Sequence, residues 1–214
     1  MPTVALIHAL PHAIAPINTE MERAWPECRR VNLLDDSLPG DLARSPDGLD
    51  ARFFDRLHAL AEYALSVGAD GLLFSCSAFG PCIEAVAARH PGVPVLKPNE
   101  AMIAEAAAHG GRIGLIGTFA PTLESMPAEF PSGCDVRVLL ADGALDALNA
   151  GDGDRHDALI ADGARRLAAE GCAVIALAQF SMARASEQVS RACGVPVLTT
   201  VASAVQAMRV RLGH

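Results

Sequence analysis

Six cysteines are scattered along the chain, at Cys28, Cys76, Cys82, Cys134, Cys172 and Cys193, with no CxxC pair and no grouping with histidine. That spacing argues for reduced thiols and against a zinc site, and it makes most of the six small apolar core residues. Cys76 stands apart. It follows the apolar run Gly71–Ser75 and precedes a turn, Ser77–Ala78–Phe79–Gly80–Pro81, that opens a helical pattern with proline in its first turn. A thiol at a strand end that begins a helix meets free backbone N–H groups and the positive end of the helix dipole. Those groups favour an anion, so the Cys76 thiolate is expected to form more readily than that of a free cysteine, whose pKa is about 8.5. Ser75, Ser77 and the backbone at Ala78 add donors that can hold a substrate carboxylate while the sulfur meets the adjacent carbon.

Other side chains carry weaker signals. Thr118 follows an apolar run and, with Thr122, reads either as a carboxylate donor or as an ordinary cap of the helix near Pro121. His8 ends the first apolar run and His12 follows it. Either is a candidate second acid/base, since histidine titrates near neutrality, or a packing residue. Lys97–Pro98–Asn99–Glu100 reads as a helix start with Asn99 at the N-cap. Asp35–Asp36 opens a Pro/Gly/Asp-rich loop running to Gly48, read as a solvated loop or lid because no third metal ligand lies nearby. Asp142–Asp154 reads as a second Gly/Asp-rich loop, and Phe79 and Phe180, each near a turn, as pocket-lining or core rings.

Positioning these residues falls to short apolar runs alternating with Ala/Leu-rich amphipathic stretches. Strands are expected at 3–8, 71–75, 93–96, 112–116, 136–140, 174–177 and 195–199. Helices are expected near 14–24, 51–67, 82–89, 99–109, 121–126, 154–170, 183–192 and 201–212. Short buried strands separated by helices imply parallel sheets flanked by helices, an α/β fold. An internal repeat organises them. Gly68–Cys76 aligns with Gly171–Gln179, Gly92–Leu96 with Gly194–Leu198, and Val4–His8 with Ile113–Gly117. The chain therefore reads as two pseudo-symmetric α/β lobes, 1–98 with 200–214 and 99–199, with ligands expected at strand C-terminal ends in a cleft between them. Cys76 and Gln179 fall at equivalent strand ends, and Phe180 and Ser181 follow Gln179.

Composition removes several functions. Net charge is −8 and no Lys/Arg-rich run occurs, which argues against nucleic acid and against an anionic membrane surface. No stretch reaches the roughly 20 apolar residues of a membrane span. The start, MPTVALIHALPH, reads as a strand rather than a signal peptide, so a cytoplasmic location is expected. No G-x-G-x-x-G or Walker pattern follows a strand, which disfavours a nucleotide-binding flavodoxin-like protein. Ala-rich, sparsely charged helices suggest a homodimer.

The turn LLFSCSAFG, the repeat, and the second-half opening Gly111–Arg112–Ile113–Gly114–Leu115–Ile116–Gly117–Thr118 resemble the aspartate/glutamate/hydantoin racemase superfamily over essentially the whole chain. The resemblance implies two pseudo-symmetric lobes and no cofactor, and the scattered cysteines and isolated Asp35–Asp36 pair give no reason to expect a metal. The resemblance also implies a cysteine pair flanking the substrate α-carbon, one removing a proton and the other returning it on the opposite face. Maleate isomerases and single-cysteine arylmalonate decarboxylases belong to the same group. Cys76 matches the first-lobe cysteine, whereas Gln179 occupies the second-lobe position. Glutamine is no general base near neutral pH, although its amide donates and accepts hydrogen bonds. Ser181 is a poor base unassisted, and Cys172 and Cys193 lie at the far ends of their elements. The expected activity is therefore that of a cofactor-independent racemase/isomerase-type enzyme acting at the carbon next to a carboxylate or carbonyl of a small acid, with Cys76 as acid/base. The alternatives are decarboxylation of a substituted malonate and a non-catalytic small-carboxylate binding protein.

Overall fold

The computed structural model describes all 214 residues. They form two compact units, Met1–Pro98 with Ala204–His214, and Asn99–Ser203. The first unit contains β1 (Thr3–His8), α1 (Ile14–Ala24), β2 (Arg29–Leu34), α2 (Leu38–Arg44), α3 (Ala51–Ser66), β3 (Gly71–Phe74), α4 (Gly80–Arg89) and β4 (Val95–Leu96). The second contains α5 (Glu100–His109), β5 (Ile113–Gly117), α6 (Ala120–Ser125), β6 (Val136–Leu140), α7 (Ala144–Asn149), α8 (Gly153–Ala169), β7 (Val174–Leu177), α9 (Ser186–Cys193) and β8 (Val197–Thr199). The last helix, α10 (Thr200–Arg211), begins in the second unit and belongs to the first from Ala204 onward.

Each unit is built on a four-stranded, wholly parallel sheet, ordered β2-β1-β3-β4 in the first and β6-β5-β7-β8 in the second. The repeat holds at the level of register. Val4 pairs with Gly71 as Ile113 pairs with Val174, and Leu72 pairs with Val95 as Ile175 pairs with Val197. Flanking bonds repeat as well: Asp70 N–H donates to the Thr3 carbonyl and Ala173 N–H to the Arg112 carbonyl, both at 2.7 Å. Helices α3 and α8 each end at a glycine with left-handed backbone, Gly68 (φ 89°) and Gly171 (φ 85°), where a Cβ would be strained.

Apolar side chains explain the layering. The inner strands β1, β3, β5 and β7 are buried along their whole length, as the continuous apolar runs require. In the first unit Phe53, Leu57, Ala61 and Ala64 of α3 pack with Ile83 and Val86 of α4 and Leu72 and Phe74 of β3. Full burial of each such large side chain stabilises the fold by about 1.5–3 kcal/mol. In the second unit one cluster gathers Ile160, Ala164 and Leu167 of α8 with Ile175 and Leu177, and another gathers Met102, Ile103 and Ala106 of α5 with Val174 and Ala176.

Four elements differ from the sequence expectation. The strand β2 was absent from it, because Arg-Arg-Val-Asn-Leu-Leu has no apolar run; as an edge strand it is only partly buried. The two Gly/Asp-rich segments expected as loops each contain a short helix, α2 and α7. These hold equivalent places after the edge strands β2 and β6. The helix expected from 183 starts as a 3₁₀ turn, Phe180–Ala185, and becomes α-helical only at Ser186.

Candidate functional site

Cys76 has extended backbone (φ −126°, ψ 116°) and caps a 3₁₀ turn, Ser77–Phe79, that runs directly into α4 with Pro81 in its first turn. The helix start acts on the sulfur electrostatically: the nearby Ala78 backbone N–H favours the thiolate, although the Cys76 side chain makes no capping hydrogen bond. The surroundings are otherwise apolar. The partly buried Cys76 packs against the first unit's core and shares a small pocket with Ile7, Ala9, Leu38, Leu57, Phe74, Phe79 and His8. Burial penalises the thiolate more than the Ala78 N–H favours it, so the thiol pKa is raised rather than lowered. This reverses the sequence expectation of a readily formed thiolate. The local helix geometry is as foreseen, but the apolar wall supplied by α2, α3 and Phe79 outweighs it. At neutral pH the group is an S–H, a proton donor.

Ser75, half-buried, extends β3 by one further bond, its N–H donating to the Ile7 carbonyl at 3.0 Å. Its hydroxyl lies 2.9 Å from His8 Nδ1. The direction of that bond follows from a chain of amides. The Asn18 Nδ2 group donates to the Ile14 carbonyl at 2.7 Å, an acceptor only, which fixes the Asn18 amide. The same Nδ2 donates to Asn32 Oδ1 at 2.9 Å, and Asn32 Nδ2 returns a bond to Asn18 Oδ1 at 3.2 Å. Asn32 Oδ1 is then the acceptor facing His8 Nε2 at 3.0 Å. His8 Nε2 therefore carries the proton, Nδ1 is bare, and the Ser75 hydroxyl donates to it. His8 is fully buried, and desolvation lowers its pKa against the Asn32 hydrogen bond that raises it. It is a neutral imidazole with both nitrogens engaged and offers no atom directly to a substrate.

In the second unit the position equivalent to Cys76 is held by Gln179, also extended (φ −137°, ψ 146°) and also capping a 3₁₀ turn. Thr118 donates to Gln179 Oε1 twice, from its backbone N–H at 2.6 Å and from its hydroxyl at 3.0 Å. An N–H cannot accept, so the amide orientation is settled: oxygen toward Thr118, leaving the NH₂ group with two donors for other partners. Thr118 is thus neither a free carboxylate donor nor a helix cap, and α6 has no side-chain cap.

Of the remaining expected residues, Ser77, Thr122 and Ser181 are partly buried and Ala78 is exposed. Phe180 is buried, and Phe79, equally buried, packs on Phe53 and lines the Cys76 pocket. Asn99 occupies the N-cap position of α5 without a side-chain capping bond. Asp35 does not face solvent alone: with Asp41 and Ser37 it binds Arg56 of α3, which pins α2 and hence Leu38 at the pocket. Cys172 precedes β7 and Cys193 ends α9, away from the strand C-terminal ends.

Asn32, Asn18 and Leu38 were not anticipated. The repeat could have found the first, since a counterpart of Val136–Leu140 is required between 24 and 71 and only Arg29–Leu34 has the register to fill it. No helix is long and apolar enough to cross a membrane.

The fold is that of known racemases. A glutamate racemase from Bacillus anthracis superposes with a TM-score of 0.74 at 13% identity, covering 100% of this chain and 82% of that one. An allantoin racemase from Klebsiella pneumoniae gives 0.72 at 20% identity, covering 100% and 89%. An unliganded arylmalonate decarboxylase gives 0.64 at 20%, covering 99% and 92%. No curated protein matches the sequence. The model of the Asp/Glu/hydantoin racemase family aligns with residues 17–208, a span that takes in seven of the eight strands together with Cys76, Thr118 and Gln179. With nine-tenths of the sequence matched and the repeated parallel sheet in place, the chain belongs to the Asp/Glu/hydantoin racemase family.

Proposed function

We propose that the protein is a cofactor-independent enzyme of racemase/isomerase type that acts at the carbon next to a carboxylate or carbonyl of a small acid, with Cys76 as its acid/base. The observation that carries this reading is the contrast between the two equivalent strand ends. One bears a thiol; the other bears an amide whose oxygen is taken by Thr118. In the proposed chemistry Cys76 handles a proton on one face of the reacting carbon. The backbone N–H groups of the Ser77–Phe79 turn donate to the carboxylate as charge develops on it, and the Gln179 amide offers donors but no acid/base function. A glutamine in place of a second thiol leaves no group to return a proton to the other face at that position. The reading therefore favours one-face outcomes over symmetric two-thiol racemisation.

A specific observation supports decarboxylation as a second reading. Burial keeps Cys76 protonated at neutral pH. A neutral S–H is suited to quench the enediolate left by loss of CO₂ from a substituted malonate, giving a single enantiomer. The similarity to an arylmalonate decarboxylase is compatible with this.

Proton NMR in D₂O tests both readings. The protein is incubated with aspartate, glutamate, hydantoins, maleate and substituted malonates. Deuterium entering a Cα, a maleate-to-fumarate change or loss of a carboxylate names the reaction. A protein that binds these acids, as seen by chemical-shift changes, yet alters none of them is a carboxylate-binding protein, and the enzyme reading fails.

A further inference from the structure

The hydrogen-bond chain Ser75–His8–Asn32–Asn18 lies entirely in the first unit and ends beside Cys76, yet the chemistry above makes no use of it. Ser75 has one proton to give. While His8 is neutral that proton is committed to Nδ1, and the Ser75 oxygen offers only lone pairs to a ligand. A carboxylate oxygen brought there meets an acceptor with an acceptor. If His8 gains a proton, Nδ1–H donates to Ser75 Oγ and the hydroxyl turns to donate outward. Asn32 Oδ1 accepts from Nε2–H in both states, so the exchange moves one proton and one hydroxyl rotor and breaks no other bond.

We propose that His8, acting through the Ser75 hydroxyl, couples the binding of a substrate carboxylate beside Cys76 to the uptake of one proton from solvent. This rests on the small-carboxylate reading above and makes His8 a positioning residue. On binding, the solvent proton forms the Nδ1–H bond and the carboxylate gains the Ser75 O–H; on release both revert. The carboxylate charge opposes the desolvation that keeps His8 neutral in the free protein. Few titratable groups compete. From β2 His8 meets the neutral Asn32, and from the β3 end Ser75 and the protonated Cys76. Arg30 on β2 is bound to the Asn18 carbonyl at 3.1 Å. Asp35, after β2, is bound to Arg56 of α3. His12 follows β1 and is exposed.

The test uses the full chain with malonate and phenylacetate as probes. Nitrogen–proton correlation NMR reads the His8 tautomer and titration with and without probe, and calorimetry in buffers of different ionisation enthalpy counts protons. Free His8 is expected as the Nε2–H tautomer titrating below 6.5. Saturation with probe raises that pKa. Affinity falls about tenfold per pH unit between the free and bound values, with uptake approaching one proton in that window. Ser75→Ala binds at every pH as weakly as the parent does above the window, and Ser75→Thr restores the pH dependence. An Nδ1–H tautomer in the free protein, or probe binding with the His8 titration unmoved, overturns the coupling alone. If neither probe binds at any pH although free His8 titrates as expected, the small-carboxylate reading falls and the coupling falls with it.

Discussion

At the residue scale, Cys76 combines a donor-rich backbone turn with an apolar pocket, and the pocket decides the charge. Because the thiol pKa is raised, the thiolate fraction at pH 7 is smaller than in the unfolded chain, and it grows as pH rises toward and through the raised value. Iodoacetamide labelling followed by mass spectrometry should show Cys76 reacting more slowly in the folded than in the urea-unfolded protein at pH 7, with the gap narrowing as pH is raised. Faster labelling in the folded protein at neutral pH would mean that the helix start dominates after all. The position of Cys76 was legible in the sequence, since a cysteine between an apolar run and a helix-opening proline has few other readings. Its protonation state was not, because it is set by Leu38 and Leu57, which come from α2 and α3 and carry no local mark. Gln179 was equally legible through the repeat. Its orientation depends on Thr118, a partner 61 residues away.

At the element scale, what positions these residues is the register of the inner strands, and small side chains protect it. Gly114 in the middle of β5 lies where an added Cβ would come within 2.8 Å of Ile175 and 3.0–3.1 Å of Leu167 on α8. Gly114→Ala should destabilise the protein by about 1–3 kcal/mol through overpacking between β5, β7 and α8, visible as a lower Tm or urea midpoint. An unchanged midpoint would show that α8 moves away without cost, and the packing account of that layer would need revision. Inner strands were readable because burial on both faces leaves an unbroken apolar run. The edge strand β2 was not, because half-buried Arg30 and exposed Asn32 mask its pattern; the residue that orients His8 lay on the element hardest to see. The helices α2 and α7 were hidden among glycines and aspartates, where turn chemistry and short helices share a composition.

At the scale of the whole molecule, one β-α layout occurs twice, with sheet order, pair register and flanking bonds repeated. The duplication was visible in three aligned strands of sequence, and it is what makes Cys76 and Gln179 comparable at all. Two copies of a frame have kept their geometry while the residues at the equivalent strand ends diverged, one to a protonated thiol and the other to an oriented amide. The account therefore predicts unequal roles. The thiol is indispensable for proton transfer, whereas the amide, which is no general base near neutral pH, takes no part in it. The most direct measurement is proton NMR in D₂O of whichever reaction the substrate panel reveals, run on the parent, Cys76→Ala and Gln179→Ala. The account predicts that Cys76→Ala falls to the uncatalysed background. It predicts that Gln179→Ala still turns over, because the amide transfers no proton. Turnover by Cys76→Ala at a substantial fraction of the parental rate would contradict it.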